Sequence, residues 1–275
     1  MSNNTAAADG PLRNQVLAAL PILEWKRVRP NLEPMDLSLG QILCESDSRL
    51  SHAYFPTTST ISLKCILSDG TSTEIAAVGN EGLVGITLFM GSAATMNRVV
   101  VQSGGRAYRL RAEILKAEFN KGDAMQSLLL RYTQVRLMLI GQTAACNRRH
   151  AIEQQLCRWL LLSLDRVGCD ELAMTHELLA NTFGVRREGI TEAALKLQAA
   201  GLIKYSRGRI TVVDRAGIES SCCECYGVVR RALTRLTVPP PQGGAISPLD
   251  VRRGPDAADA GAQFLPDRCF QAVPR

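Results

Sequence analysis

The sequence has no apolar run long enough to cross a membrane as a helix. Its richest stretch, residues 75–96, is broken by Asn80, Glu81 and repeated glycines, short of the roughly 18 uninterrupted apolar residues a span needs. The opening Met-Ser-Asn-Asn-Thr lacks the basic-then-apolar build of a secretory signal, so a cytoplasmic location is expected. Histidine is scarce, with three in 275 residues, and no Ser–His–Asp, paired-carboxylate or metal-ligand spacing is apparent. No catalytic residues, metal or cofactor are therefore expected, and the chain does not read as an enzyme. The glycines match neither Gly-x-Gly-x-x-Gly nor a Walker A loop. No internal repeat is visible.

What is present describes a globular chain. Hydrophobic residues make up 46% and charged residues 21%, which excludes wholesale disorder. At ~100–200 residues per domain the length suggests two domains. The formal charge of +6 permits nucleic acid or an anionic ligand without demanding either. The nine cysteines are odd in number and scattered over a long chain, which fits reduced thiols better than a disulfide framework.

The texture changes along the chain. Residues 1–21 read as a polar leader followed by a short helix (Leu12, Val16, Leu17, Leu20) that stops at Pro21. Residues 22–121 hold short β-prone runs at 41–44, 53–55, 60–67, 74–78, 99–102 and 107–110. Turn signals such as Ser68-Asp69-Gly70 and Ser103-Gly104-Gly105 separate them, as in a small β-barrel or sandwich. A short helix is expected over 112–119.

A longer helix is expected over 122–149. Met125, Leu128, Tyr132, Val135 and Leu139 recur in alternating three- and four-residue steps, the spacing of a seam that pairs with a second helix. On this reading Leu129, Leu130, Leu137 and Ile140 form a second face that packs on the chain's own β-domain. The same periodicity also fits a helix buried in its own core. An amphipathic helix over 151–167 follows, and residues 238–275, with Pro239-Pro240-Pro241 and Gly243-Gly244, read as disordered.

The informative stretch is 176–198. Thr175 suits an N-cap, Ala180 allows a second helix to pass closely, and Gly184 suits a tight turn that needs positive φ. Together they describe a helix-turn-helix. The second helix, beginning near Arg186, would present Arg186, Arg187, Glu188, Thr191, Glu192 and Lys196 on its open face. Arginine in its first turn can fork onto guanine and a carboxylate can accept from cytosine. The β-prone runs 202–205 and 210–213 flank Ser206-Arg207-Gly208-Arg209. They form a hairpin wing whose Arg207 and Arg209 can reach phosphates.

Residues ~22–235 resemble the Crp/Fnr superfamily of bacterial transcription regulators, most specifically in Ala180, Gly184, Val185, Arg187, Glu188 and Ile190. The resemblance implies an α+β fold: an N-terminal antiparallel, jelly-roll-like β-roll similar to cyclic-nucleotide-binding domains (22–121), a dimerisation helix (122–149) and a winged helix-turn-helix DNA-binding domain (150–237). Gly-x-x-Arg-Glu is that family's common base-reading segment, which gives Arg187 and Glu188 that role by resemblance. Family members often carry a further arginine where this chain has Glu192.

The turn 79–85 (Gly-Asn-Glu-Gly-Leu-Val-Gly) resembles the entry to the family's phosphate-binding cassette. This makes Gly82, Gly85, Ile86 and Arg98 the candidate effector pocket. Ile86 cannot accept a ribose hydroxyl bond, and Arg98 is followed by Val99-Val100 rather than a hydroxyl residue. Cyclic AMP is therefore not expected to bind in the usual way. Cysteines grouped near the N-terminus, as in cluster-bearing relatives, are missing before Cys44, and His52 is the sole histidine of the β-roll segment.

The resemblance implies double-stranded DNA and a second copy of the chain as partners, on a palindrome with half-site centres ~10–10.5 bp apart or a multiple of that. It allows RNA polymerase and a small-molecule effector, and implies no membrane partner. The alternative is a small-ligand or nucleotide-binding module whose winged helix contacts protein. Cys222-Cys223-Glu224-Cys225 contains a Cys-x-x-Cys pair, but no second pair lies close in sequence, so ordinary thiols are expected there. The nearby Arg230 and Arg231 leave a redox role open. His150 reads as part of a solvated hinge and His176 as a surface or phosphate-facing group.

Overall fold

The computed structural model of the chain describes residues 10–91, 94–167 and 170–237. The expected leader (1–9) and disordered tail (238–275) lie outside the described residues. Asn14 caps α1 (Gln15–Ala18), its side chain accepting from the Val16 and Leu17 amides. Its Nδ2 donates to the carbonyls of Pro56 (2.9 Å) and Gly82 (2.7 Å). With Val16 and Leu17 buried, this segment is part of the β-domain core. After Pro21 the chain forms a second helix, α2 (Ile22–Val28), where the sequence suggested β texture. Proline sets φ at a helix entry without losing a needed hydrogen bond, so it starts this helix as well as ending the one before.

Nine strands follow: β1 (Glu33–Leu37), β2 (Ile42–Cys44), β3 (Ser48–Arg49), β4 (His52–Pro56), β5 (Thr60–Ile66), β6 (Ser72–Val78), β7 (Ala94–Thr95), β8 (Arg98–Ser103) and β9 (Gly105–Arg111). They pair antiparallel in the orders β1-β9-β4, β2-β8-β5-β6 and β3-β7. The polar, proline-containing β1 gave no apolar alternation to read, and it lies at a sheet edge where proline's missing donor does no harm. Phe55, Ile61, Leu83, Val99 and Leu110 fill the core between the sheets.

Two helices close this roll, α3 (Ala112–Phe119) and α4 (Ala124–Arg149). Asp123 caps α4 by accepting from the Met125 amide. Arg27 of α2 bridges Glu118 (2.8 Å) and Asp123, which joins the three helices.

The face of α4 assigned to a partner turns out to be its inner face. Met125, Leu128, Tyr132 and Leu139 are buried in the chain itself, and Val135 is half-buried against the β-roll core. Leu130, Leu137, Met138 and Ile140 are exposed; of the face expected to meet the β-domain, Leu129 is buried in its core, Leu137 and Ile140 edge a cavity between α4 and the β-roll, and Leu130 faces away. Apolar residues fall on more than one side of this helix, so periodicity alone does not choose a face. Specific polar contacts do: the Tyr132 hydroxyl meets the Leu83 peptide, and Arg136 Nη1 donates to the Ala77 carbonyl at 2.9 Å.

The remaining elements are α5 (Ile152–Val167), β10 (Glu171–Ala173), α6 (His176–Phe183), α7 (Arg187–Ala199), β11 (Ile203–Ser206), β12 (Arg209–Val212), α8 (Arg215–Ser221) and α9 (Cys225–Thr237). Leu156, Leu160, Leu179, Ile190, Ile203 and Ile210 build a second core. β10, unread in the sequence because it is three residues long, pairs with β12 and completes a sheet ordered β10-β12-β11. α9 runs back along α4 and places Leu236 in the core of the β-roll. A buried ion pair, Arg166 Nε to Glu81 Oε1 at 3.0 Å, ties α5 to the turn 79–85.

Candidate nucleic-acid interface and effector cavity

The α6–α7 pair is built by local chemistry. The Thr175 hydroxyl accepts from the Leu178 amide (3.2 Å) and starts α6. Gly184 ends it in the left-handed region (φ 66°, ψ 35°), which only glycine enters without strain. The Val185 amide then donates to the Ala180 carbonyl (3.1 Å), closing the turn. Arg186 is the residue before the first helical turn, and α7 itself starts at Arg187. Ile190, Ala193, Ala194 and Leu197 face inward, with small residues where α7 meets its neighbours.

The candidate reading residues separate into groups. Arg186, Arg187 and Glu188 are exposed around the start of α7. There, unpaired backbone N–H groups and the helix dipole favour an anionic partner. Glu192 is exposed and pairs with Lys196 (2.9 Å), which also reaches Glu153 of α5 at 2.5 Å. The hydrogen bond that Lys196 donates to Glu153, then that to Glu192, push its ammonium pKa up to about 12. Lys196 thus works as a tie between α7 and α5.

The wing tip places Arg207 (φ 50°) and Gly208 (φ 74°) at the two centre positions of the β11–β12 hairpin, the positive-φ pair of a tight two-residue turn. Arg207 is exposed, while Arg209 is ion-paired to Glu171 of β10.

His176 is neither free nor phosphate-facing. Its ring stacks on Tyr205 of the wing, with centroids 4.1 Å apart at 17°. Its Nδ1 lies 3.0 Å from the Thr191 hydroxyl, which itself donates to the Arg187 carbonyl (3.0 Å). Since that hydroxyl proton is committed, the imidazole is the donor in the His176–Thr191 bond. Burial, and then the Arg187 charge, hold its pKa below the usual imidazole value. A neutral His176 therefore joins the first turn of α7 to the wing.

Between the β-roll and α4 lies an open cavity of about 400 Å³, lined mainly by apolar side chains including Leu63, Val78, Val84, Ile86 and Val99. Gly85 and Ile86 of the candidate pocket line it. Gly82 and Arg98 do not. Gly82 lies under Tyr132, where a Cβ would come 2.2 Å from the hydroxyl. Arg98 lies on the opposite side of its strand, where it meets Glu45 at 2.7 Å. Among the described lining residues Arg136 is the one charged side chain, and the sequence reading had not chosen it because its place on α4 faces inward only in the folded chain. Thr87 also lines the cavity, and its buried hydroxyl has no hydrogen-bond partner among the described residues.

Comparison with protein-family models matches residues 154–220 to the Crp-like helix-turn-helix domain. The chain carries a Crp-like helix-turn-helix domain.

Solved structures with the same architecture extend the likeness to the β-roll. A Eubacterium rectale protein assigned to the crp/fnr family of transcriptional regulators is 20% identical (TM-score 0.59), covering 75% of this chain and 96% of that one. FixK2 of Bradyrhizobium japonicum is 14% identical (TM-score 0.58; 70% of this chain, 98% of that). CLP of Xanthomonas campestris, a c-di-GMP responsive global regulator, is 16% identical (TM-score 0.57; 70% and 99%). At these identities the likeness is one of fold. No curated protein sequence gives a match. The expected α+β architecture of β-roll, long helix and Crp-like domain is the one observed. No helix among the described residues is long and apolar enough to cross a membrane.

Proposed function

We propose that the chain is a sequence-specific, DNA-binding transcription regulator that acts as a homodimer on a palindromic site. The observation that carries this reading is the exposed Arg186-Arg187-Glu188 step at the start of α7, beside a wing that presents Arg207. Arg187 and Glu188 read base edges, and Arg186 and Arg207 grip phosphate. Thr191 and Lys196 hold the reading helix in place. It is a binding protein, not an enzyme, and its DNA target places its work in the cytoplasm.

The dimer forms through the outward stripe of α4, where Leu130, Gln134, Leu137 and Gly141 follow four-, three- and four-residue steps and are all exposed. The β-roll cavity takes a small, largely apolar effector held by the Thr87 hydroxyl and Arg136. A cyclic nucleotide fits it poorly, because Arg98 is turned to Glu45 and Ile86 offers no acceptor. Effector binding between the roll and α4 then shifts the DNA-competent population.

The test is selection of bound sequences from a random duplex pool at near-physiological salt, with and without cyclic nucleotides. A recovered palindrome weakened by Arg187→Ala supports the reading. No enrichment of any sequence, together with no salt-dependent binding of duplex DNA even at low salt, would overturn it, and a palindrome appearing only with cyclic AMP would overturn the effector argument.

A further inference from the structure

Four ligand-type side chains from distant parts of the sequence converge where α4 ends and α9 begins. Cys146 lies in the last turn of α4 and His150 is its capping residue, one helical turn on. Cys223 and Cys225 flank the start of α9. The Cys146 and Cys223 sulfurs are 3.6 Å apart, Cys225 Sγ is 3.6 Å from His150 Nδ1, and all four ligand atoms lie within 4.8 Å of one another. Cys146, Cys223 and Cys225 are buried and His150 is half-buried. By spacing alone Cys222 and Cys225 are the pair, and ordinary thiols are expected there. The structure instead selects Cys223 and Cys225, and the missing pair comes from α4.

We propose that Cys146, His150, Cys223 and Cys225 form a tetrahedral zinc site. With zinc–sulfur bonds of about 2.3 Å and zinc–nitrogen bonds of about 2.0 Å, tetrahedral angles set the ligand atoms about 3.5–3.8 Å apart, which matches the two 3.6 Å separations. An iron–sulfur cluster interposes its own sulfides and spreads its cysteines farther than this, so the spacing selects a single ion.

The surroundings are those of a metal centre. His150 turns Nδ1 to the cluster and Nε2 to the Glu224 carboxylate, 3.3 Å away. Such a carboxylate fixes the tautomer and orientation of a ligating histidine. Gln142 Nε2 donates to Cys225 Sγ at 3.0 Å, a bond that strengthens when the sulfur is a thiolate.

Binding converts three thiols to thiolates and releases three protons to solvent, leaving a centre of net charge −1 with neutral histidine. The buried Arg158 guanidinium, whose charge favours the Cys146 thiolate, offsets it, and its Nε has no hydrogen-bond partner among the described residues. Without a metal, burial raises the pKa of the Cys146 and Cys225 thiols. All four positions are supplied by the protein, the mark of a structural site rather than a catalytic one. It fastens α9 to the end of α4, at the joint from which α5 leads into the Crp-like domain.

The experiment uses the reduced full-length chain, with metal content measured after purification and Co(II) titrated into the metal-stripped protein. One zinc per chain, and the thiolate charge-transfer and intense visible bands of tetrahedral Co(II), are expected. Cys146→Ser and Cys225→Ser should lose these bands, while Cys222→Ser keeps them. Glu224→Gln, an exposed change that leaves the fold intact, should keep one ion but weaken affinity about 10–100-fold. A reduced wild-type chain that takes up neither zinc nor Co(II) would overturn the proposal. So would a Cys146–Cys223 disulfide in freshly purified protein, or Co(II) spectra and affinity unchanged by both Cys146→Ser and Glu224→Gln.

Discussion

The Tyr132 hydroxyl donates to the Leu83 carbonyl at 2.8 Å and accepts from the Leu83 amide at 3.0 Å. One side chain of α4 thereby satisfies both backbone polar groups of buried Leu83 in the turn 79–85, and the helix is held in register with the β-roll. Burial raises the Tyr132 pKa, so the hydroxyl keeps the proton it donates. Tyr132→Phe would strand both groups of Leu83 at about 1–3 kcal/mol each. Gly82→Ala would push a methyl into the same hydroxyl. Urea denaturation should show both variants destabilised, and a Tyr132→Phe chain as stable as wild type would refute this account.

Position 137 separates association from folding. Leu137 is 66% exposed and Leu139 is 8% exposed, two residues apart on one helix. Leu137→Arg should yield a folded monomer by light scattering, whose melting temperature no longer depends on protein concentration. Leu139→Ala should instead lower stability by about 2–5 kcal/mol through lost burial and a cavity. The opposite pattern would restore the inner seam as the dimer interface.

Arg187 and Arg207 are expected to fail in different ways. Arg187→Ala should cost ~1–3 kcal/mol of binding and relax preference at one base position. Arg207→Ala should weaken all sequences alike and reduce the salt slope by about one. Binding curves at several salt concentrations, on the selected site and on single-base variants, distinguish the two roles.

Acid should loosen the joint between wing and reading helix. Because burial and Arg187 lower the pKa of His176, the unfolded chain takes up this proton at a higher pH than the folded one. The stability contributed by neutral His176 is full above the usual imidazole range and declines as pH falls through it toward the lowered folded value. NMR titration should find the His176 midpoint below the usual imidazole value, and Arg187→Ala should raise it.

Glu81 and Arg166 form a buried pair with side chains 6% and 10% exposed. Glu81 also accepts from the Gly79 amide at 3.0 Å. Glu81→Ala leaves an unpaired buried guanidinium and should cost about 3–5 kcal/mol. A thermal melt showing less than 1 kcal/mol of loss would mean that solvent reaches Arg166 once its partner is removed.

Local chemistry written in the sequence was enough to determine much of the chain. β5, β6, β8 and β9 follow from β-branched runs between turn residues, and the α6–α7 turn follows from Thr175, Ala180 and Gly184, because caps, positive φ and short-range periodicity act within a few residues. Tertiary structure decided what depends on contacts between distant segments. Which face of α4 lies inward was set by Tyr132 finding Leu83 and Arg136 finding Ala77, since a helix with apolar residues on more than one side carries no local preference. Arg98 alternates with the inward Val99 along its strand and meets Glu45, 53 positions away, outside the cavity. The Cys146–Cys223 approach joins residues 77 positions apart, and no spacing rule reaches that far. It exists only because α9 folds back along α4.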